Sequence, residues 1–194
     1  KNCRTAFGYL TFDSACDTLC RKGGDPMQTK KLAMCAMFSA LLCVSAWLAI
    51  PIGPISITLQ TLVIFLCLGT LGGQYGCISI FVYLMLGAVG LPVFSGFQGG
   101  LGILFGATGG YICGFLVMGL VYWLITGIWK NNRFSPVLAM LTGLLLCYTL
   151  GTLWYGYLYA QGNSLWLILL QSVVPYVIPD MVKLFLAVYL IKKL

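Results

Sequence analysis

The sequence predicts an all-α integral membrane protein with six transmembrane helices and with both termini in the cytoplasm. Hydrophobic residues make up 60% of the 194 residues and charged residues only 8%, whereas soluble domains are about 25% charged. At about 20 residues per span, the chain has room for roughly six spans and their connections. It therefore exposes most of its surface to lipid and forms a single membrane domain.

Residues 1–26 differ in composition from everything that follows them. They are polar, carry both signs of charge, end in Gly23-Gly24-Asp25-Pro26, and lack the apolar core of a signal peptide. We interpret them as an N-terminal extension, either native or a tag or translation artefact, with a short juxtamembrane helix as an alternative. They are left out of the functional reasoning, and the six-helix membrane domain is predicted to cover residues 27–194.

Apolar runs separated by turn residues predict the six spans in order. Two prolines at residues 51–54 end the first run, because proline cannot continue the hydrogen bonding of a helix, and residues 55–58 are expected to be extended. A Gly-Gly-Gln turn at residues 72–74 separates the second run from the third, and residues 92–106 form a long loop. The predicted spans are residues 32–50, 57–71, 75–91, 107–129, 136–159 and 165–191.

The basic residues predict the orientation of the chain. If the amino terminus lies in the cytoplasm, all six Lys and Arg residues that lie outside the spans after Met27 fall on the cytoplasmic side, and the external connections near residues 51–56, 92–106 and 160–164 contain none. This is the positive-inside pattern of membrane proteins, and it requires an even number of spans. The residues concerned are Lys30, Lys31, Lys130, Arg133, Lys192 and Lys193.

Asp180 and Lys183 are the most costly residues of the predicted membrane domain. Asp180 is the only carboxylate side chain after Met27, and an ionisable group at mid-membrane costs about 2.5–3.5 kcal/mol. Their spacing places both on one face of a helix, with Cβ atoms about 5–6 Å apart, so each neutralises the other. The pair is either a self-contained ion pair or part of a ligand cavity, and ionisable residues within spans favour the second interpretation.

The stretch from Gly90 to Gly110 is the second unusual feature. It contains eight of the 24 glycines, interleaved with aromatic residues, and glycine lets a backbone approach a ligand closely. This pattern favours a ligand-capping loop on the external side over a merely flexible connection. No Lys-Ser or Lys-Thr follows the glycines, as a phosphate-binding loop requires. If the protein transports a ligand actively, the energy would therefore come from an ion gradient or a partner protein.

Other classes of function are disfavoured. The chain has no histidine and no second carboxylate after Met27, which argues against an intramembrane enzyme. An ion channel needs rings of carbonyls or charges, and one Asp–Lys pair is a poor candidate. Six of the nine cysteines lie within apolar runs after Met27, and they are interpreted as small buried hydrophobic residues, with a zinc or redox role as the alternative. Ala36 and Ala40 form a small-residue pair that allows close helix packing.

Four stretches resemble the signatures of the BioY family, the biotin-specific substrate-binding (S) components of energy-coupling factor (ECF) transporters. They occur in the family's order and cover roughly residues 30–194. Residues 50–61 resemble P-x-G-P-V-P-I-T-L-Q-T, residues 87–94 resemble G-A-x-G-L-P-V-F, residues 99–111 resemble G-G…G-P-T-G-G-Y, and residues 174–183 resemble V-P-(F/Y)-x-P-x-D-x-x-K. Ala107 departs from the usual proline, and Cys113 stands where some relatives place a more polar residue.

The resemblance implies high-affinity binding and uptake of biotin in the plasma (inner) membrane of a prokaryote, without chemistry on the ligand and without a cofactor or metal. The implied partners are a transmembrane coupling (T) subunit, which would contact Ala36 and Ala40, and two ABC ATPases; no nucleic acid is implied. Binding of another vitamin or of a biotin precursor is the near alternative.

The predicted binding residues suit the chemistry of biotin. Asp180 and Gln60 would meet the ureido ring, four aromatic residues would cover the thiophane ring and valeryl chain, and Lys183, Gln98 or backbone N–H groups of the glycine loop would bind the carboxylate. Which end of biotin meets Asp180 is a hypothesis. The complete set is Gln60, Phe94, Gln98, Gly99, Gly100, Tyr111, Tyr148, Tyr176, Asp180 and Lys183.

Overall fold

The computed structural model describes residues 26–51, 56–129, 134–159 and 173–193. Within these ranges the chain is mostly helical, with one short β-hairpin. Helices and strands follow in the order α1 (Pro26–Trp47), β1 (Ala49–Pro51), β2 (Ser56–Thr58), α2 (Gln60–Ala88), α3 (Leu101–Leu104), α4 (Gly109–Ile128), α5 (Ser135–Tyr159) and α6 (Val174–Lys193). The predicted extension up to residue 25 and residues 160–172, which include the start of the predicted sixth span, lie outside the described residues.

The β-hairpin corrects the predicted end of the first span. Helix α1 ends at Trp47 rather than at residue 50, because the next residues pair with β2 in an antiparallel ladder that aligns Ala49 with Thr58. An apolar run alone does not distinguish the end of a helix from a short strand. The predicted extended segment at residues 55–58 is confirmed over Ser56–Thr58.

Helix α2 contains a sharp reversal at Gly72, where the turn between the second and third spans was predicted. Gly72 has φ 79° and ψ 172°, a backbone conformation that favours glycine. A Cβ atom placed on Gly76 would lie 3.3 Å from the Cα atom of Leu68, whereas eight residues of straight helix cover about 12 Å. The two halves of α2 therefore fold back against each other.

Glycines also bring α4 and α5 into close contact. A Cβ atom on Gly114 would lie 3.1 Å from the Cα atom of Cys147, and one on Gly151 would collide with the ring of Tyr111. Small residues permit this approach of backbones in membrane helices. Helix α4 also packs against α2, and α2 in turn packs against α1 and α6.

The outer surface of the bundle is apolar. Large hydrophobic side chains are exposed on several helices, among them Leu153 and Phe185 at 63% and 71%. Within the described residues, five helices are long and apolar enough to cross a membrane, with the whole of α2 taken as one of them. This surface is the one expected of a multi-pass membrane protein.

The connection between the third and fourth predicted spans is longer at both ends than the predicted loop at residues 92–106. The third predicted span ends at Ala88 rather than at residue 91, because Gly90 leaves the helix with φ 107°. The loop contains the short helix α3, and the following span begins at Gly109 rather than at residue 107.

Candidate ligand-binding site

Asp180 and Lys183 form a buried ion pair on α6. Lys183 Nζ lies 2.7 Å from Asp180 Oδ1, and the two residues are only 5% and 8% exposed. The predicted placement of both charges on one helix face is therefore observed. A buried ion pair is tolerable only when further hydrogen bonds satisfy the remaining donors and acceptors.

Lys183 finds its further acceptors at the start of α2. Its Nζ atom donates to the carbonyl oxygen of Thr58 at 2.6 Å and to Thr61 Oγ1 at 3.1 Å. Together with Asp180, these acceptors match the three protons of an ammonium group. The contact with Thr58 also connects α6 to the β-hairpin.

Asp180 accepts hydrogen bonds from three helices. Thr61 Oγ1 on α2 donates to Oδ1 at 2.8 Å, and the Tyr148 hydroxyl on α5 donates to Oδ2 at 2.6 Å. The Tyr148 oxygen is also 3.3 Å from the carbonyl oxygen of Tyr176, but its single proton favours the shorter contact with the carboxylate. Both carboxylate oxygens are thus fixed by charge-assisted hydrogen bonds.

A cavity of about 60 Å³ lies against this network. Polar groups of Asp180, Lys183 and Tyr148 line it together with apolar side chains such as Phe115 and Leu144. The full lining consists of Ser56, Ile57, Thr58, Thr61, Tyr111, Phe115, Leu144, Cys147, Tyr148, Tyr176, Asp180 and Lys183. A site with convergent polar groups and apolar walls can orient a small ligand that is polar at one part and apolar at another.

Five of the ten predicted binding residues meet at this cavity. They come from three helices that are far apart in the sequence, which is why their convergence depends on the fold. They are Tyr111 from α4, Tyr148 from α5, and Tyr176, Asp180 and Lys183 from α6. The other five predicted residues are not part of its lining.

Gln60 and Phe94 are buried, but they contact other side chains. Gln60 Nε2 donates to the Tyr83 hydroxyl at 2.6 Å, and Gln60 Oε1 accepts from Thr58 at 3.2 Å. Phe94 is 1% exposed, packs its ring against Gly87, and meets the Tyr83 ring edge-on at 5.7 Å. Neither residue lines the cavity, and their contact with the ligand stays a prediction.

Gln98, Gly99 and Gly100 lie in a loop that forms backbone hydrogen bonds within itself and with the end of α2. The Phe94 N–H donates to the carbonyl of Gln98 at 2.9 Å, and the Gly100 N–H donates to the carbonyl of Gly87 at 2.7 Å. The Gln98 side chain is exposed, and a Cβ atom on Gly99 would collide with the backbone of Leu91. The glycines here serve the packing of the loop.

The same loop is attached to the end of α1. Trp47 stacks on Phe97 with ring centroids 5.1 Å apart, and its indole N–H donates to the carbonyl of Pro92 at 2.8 Å. Phe97 has φ 58°, an uncommon value for a residue with a side chain. These contacts attach Phe97 and the start of the loop to α1.

Several cavity residues escaped the sequence reasoning. Phe115 follows Tyr111 and Leu144 precedes Tyr148 by one helical turn, so helical spacing from these two tyrosines would have found them. Cys147 directly precedes Tyr148, and helical spacing does not indicate it. Thr61 stands inside the first signature, but its importance depends on its contact with α6, which the sequence alone does not show. The Thr58 carbonyl is a backbone group, so the sequence does not indicate that it accepts a hydrogen bond from Lys183.

Ala36 and Ala40 lie on the outer surface of the bundle, away from the buried cavity. Both are exposed on α1, beside the exposed side chains of Met37 and Leu41. The two alanines leave a shallow groove on a helix face that no described part of the chain covers. Such a groove suits close packing of another membrane helix.

A model of the BioY family matches residues 19–194. The match begins within the segment that was interpreted as an extension. Among curated relatives, the biotin transporter BioY of Thermotoga maritima is 42% identical over 123 residues, which cover 63% of this chain and 72% of the relative. The probable biotin transporter BioY of Pyrococcus horikoshii is 35% identical over 168 residues, which cover 87% of this chain and 98% of the relative.

Two solved structures have a similar fold. One, described as the S-component for biotin from an ECF-type ABC transporter, has a TM-score of 0.77 and 28% identity, covering 88% of this chain and 93% of that one. The other, described as the S component of a bacterial ECF transporter, has a TM-score of 0.51 and 17% identity, covering 86% and 95%. At that identity the second structure shows a shared fold only.

Proposed function

Since the chain belongs to the BioY family, we propose that it binds biotin and takes it up as the membrane substrate-capture subunit of an ECF-type ABC transporter. The relatives are described as biotin transporters, and a structural neighbour is described as the S-component for biotin. Its family is a family of transporter components, so the chain is not an enzyme.

The buried Asp180–Lys183 pair is the observation that supports biotin as the ligand. Biotin carries two N–H donors and a carbonyl in its ureido ring and a carboxylate at the end of its chain. Asp180 supplies an acceptor for N–H groups, and Lys183 supplies a cation for an anionic oxygen, within 2.7 Å of each other. The apolar wall around Phe115 and Leu144 covers the hydrocarbon part of the ligand.

Binding requires the cavity to enlarge. Its volume of about 60 Å³ is well below the roughly 300–1,000 Å³ of ordinary ligand pockets. We expect tyrosine side chains at the wall to change rotamer when biotin enters, while Asp180 and Lys183 keep their positions. Direct contacts are proposed for Tyr111, Tyr148, Tyr176, Asp180 and Lys183, whereas Gln60, Phe94, Gln98, Gly99 and Gly100 remain predictions that substitution must test.

The proposed topology has six spans, with both termini in the cytoplasm of a prokaryote and the domain in its plasma (inner) membrane. The reversal at Gly72 supports counting α2 as two helices. The distribution of Lys and Arg supports the orientation. In this arrangement the β-hairpin and the loop after Ala88 both face the outside, where biotin arrives.

The proposed partners are a T subunit and two ABC ATPases. The described residues contain no nucleotide-binding motif, and Ala36 and Ala40 are exposed on α1. Replacing Ala40 by Trp should block copurification with the T subunit because the indole prevents close helix packing. Biotin binding by the variant chain alone should be unchanged; normal copurification would exclude this face as the docking site.

Equilibrium binding of labelled biotin to the purified chain in detergent tests the function directly. Desthiobiotin, riboflavin and thiamine serve as competitors. We expect saturable binding that desthiobiotin displaces and that the two other vitamins do not affect. A folded, monodisperse chain that does not bind biotin would refute the proposed substrate and leave another vitamin or a biotin precursor as the ligand.

A further inference from the structure

Thr61 forms a closed set of hydrogen bonds with the ion pair. Its hydroxyl donates to Asp180 Oδ1 at 2.8 Å and accepts from Lys183 Nζ at 3.1 Å, while Lys183 Nζ is 2.7 Å from the same carboxylate oxygen. A hydroxyl has one proton and two lone pairs. Because the proton faces the carboxylate and a lone pair faces the ammonium, both charges constrain the same hydroxyl.

This use of a threonine differs from that of three other helical threonines. Thr70, Thr126 and Thr142 donate to carbonyls of their own helices, at Leu66, Tyr122 and Leu138 respectively. That is the usual bond of a threonine within a helix. Thr61 instead lies in the first turn of α2 and donates its hydrogen bond to Asp180, a residue 119 positions later in the chain.

The hydroxyl therefore determines how α6 presents its two charges. On one side of the carboxylate, Thr61 and Lys183 fix Oδ1, and on the other side Tyr148 fixes Oδ2. Without the Thr61 hydroxyl, Lys183 keeps its contacts with Asp180 and the Thr58 carbonyl, but the carboxylate loses one of its restraints. Recognition of a ligand improves when polar groups are held in place before binding.

We propose that Thr61 is a positioning residue for biotin recognition, which orients Asp180 and Lys183 toward the ligand and acts through them. This inference rests on the proposed function. It assigns a role to the hydroxyl rather than to the bulk of the side chain, and the two can be separated by substitution.

The test compares Thr61→Val and Thr61→Ser with the wild-type chain by titrating purified protein with biotin in a calorimeter. Valine keeps the volume and removes the hydroxyl, whereas serine keeps the hydroxyl and removes the methyl group. Thr61→Val should weaken binding roughly 10- to 100-fold, as expected for a hydrogen bond to a charged group. Thr61→Ser should stay within about threefold of wild type, since it retains that hydrogen bond.

Thr142→Val is the matched control, because Thr142 donates within its own helix at 2.9 Å and does not line the cavity. Its affinity should equal that of wild type. Thermal unfolding without biotin is measured for all variants. Affinity should follow the presence of the hydroxyl at residue 61, whereas a purely structural role would make affinity and melting temperature fall together.

The proposal is overturned if Thr61→Val binds biotin like wild type, or if Thr61→Ser binds as weakly as Thr61→Val. If Thr61→Val does not give a monodisperse protein, Thr61→Ala replaces it, with the same expected order of affinities. Absence of biotin binding by the wild-type chain would instead refute the proposed function, so the two failures are distinguishable.

Discussion

The first half of α6 and the loop between Ala88 and Gly109 both carry features that predicted a ligand site, but their side chains find different partners in the structure. On α6, Asp180 and Lys183 line a cavity together with side chains from α2 and α5. In the loop, Phe94 and Gln98 contact the loop itself and the ends of helices. A buried charge needs partners from elsewhere in the fold, whereas glycines and aromatics can satisfy one another locally.

The largest effect is expected from breaking the ion pair. Asp180→Asn and Lys183→Met should each weaken biotin binding by at least roughly 100-fold, because each removes a charge that several groups are arranged to meet. Each should also lower the free energy of unfolding by about 3–5 kcal/mol, since the other charge stays buried without its partner. Labelled-biotin binding and thermal unfolding measure the two effects.

Lys31→Met is the control for the loss of a cation. Lys31 lies on α1 with its Nζ 5.2 Å from the centre of the Tyr75 ring, and it is not part of the cavity lining. Its affinity for biotin should match wild type. Unchanged affinity in both Asp180→Asn and Lys183→Met would show that biotin binds elsewhere.

A smaller effect is expected at Tyr148. Tyr148→Phe removes the hydrogen bond to Asp180 Oδ2 and keeps the ring, so biotin binding should weaken about tenfold. Tyr157→Phe on the same helix is the control, because Tyr157 is 87% exposed. If both variants bind equally well in the same titration, the Tyr148 hydroxyl has no part in recognition.

Phe94→Ala should separate the stability of the loop from binding. Phe94 is fully buried against Gly87 and Tyr83, so its truncation should cost about 3–5 kcal/mol of unfolding free energy. The affinity of the folded fraction, which size-exclusion chromatography isolates, should change by less than about threefold, because the lost contacts are packing contacts. A larger loss of affinity in that fraction would show that the loop contacts biotin.

Gln98→Ala should have the smallest effect. The Gln98 side chain is exposed, and its backbone carbonyl, which accepts from Phe94, is unaffected by the substitution. Stability should change by less than about 0.5 kcal/mol, as for an ordinary surface substitution. Affinity should equal wild type in the same assay, and a tenfold loss would support the predicted capping role of the loop.

Sequence reasoning succeeded where a residue is constrained by its immediate neighbours along the chain. The reversal at Gly72 follows from consecutive turn residues, and the shared face of Asp180 and Lys183 follows from helical spacing. It was less successful where a side chain had a choice of distant partners. Gln60 can bind a ligand or a protein hydroxyl with equal chemistry, and only the fold places Tyr83 within 2.6 Å of it.

Thr61 was missed for the same reason, because its role depends on distant partners. A threonine at the start of a helix is an ordinary residue, and its sequence context does not reveal that α6 brings a carboxylate and an ammonium to its hydroxyl. The end of the first helix was predicted wrongly for a different reason, because the apolar residues 48–50 suit a helix and a strand equally well. Pairing with Ser56–Thr58 decided between them.

The most direct test of the central claim is an experimental structure of the chain in complex with biotin. We expect ligand density between α2, α5 and α6, with polar atoms of biotin within hydrogen-bond distance of Asp180 and Lys183. Density beneath the loop at residues 94–100, with the ion pair unchanged and away from the ligand, would contradict it.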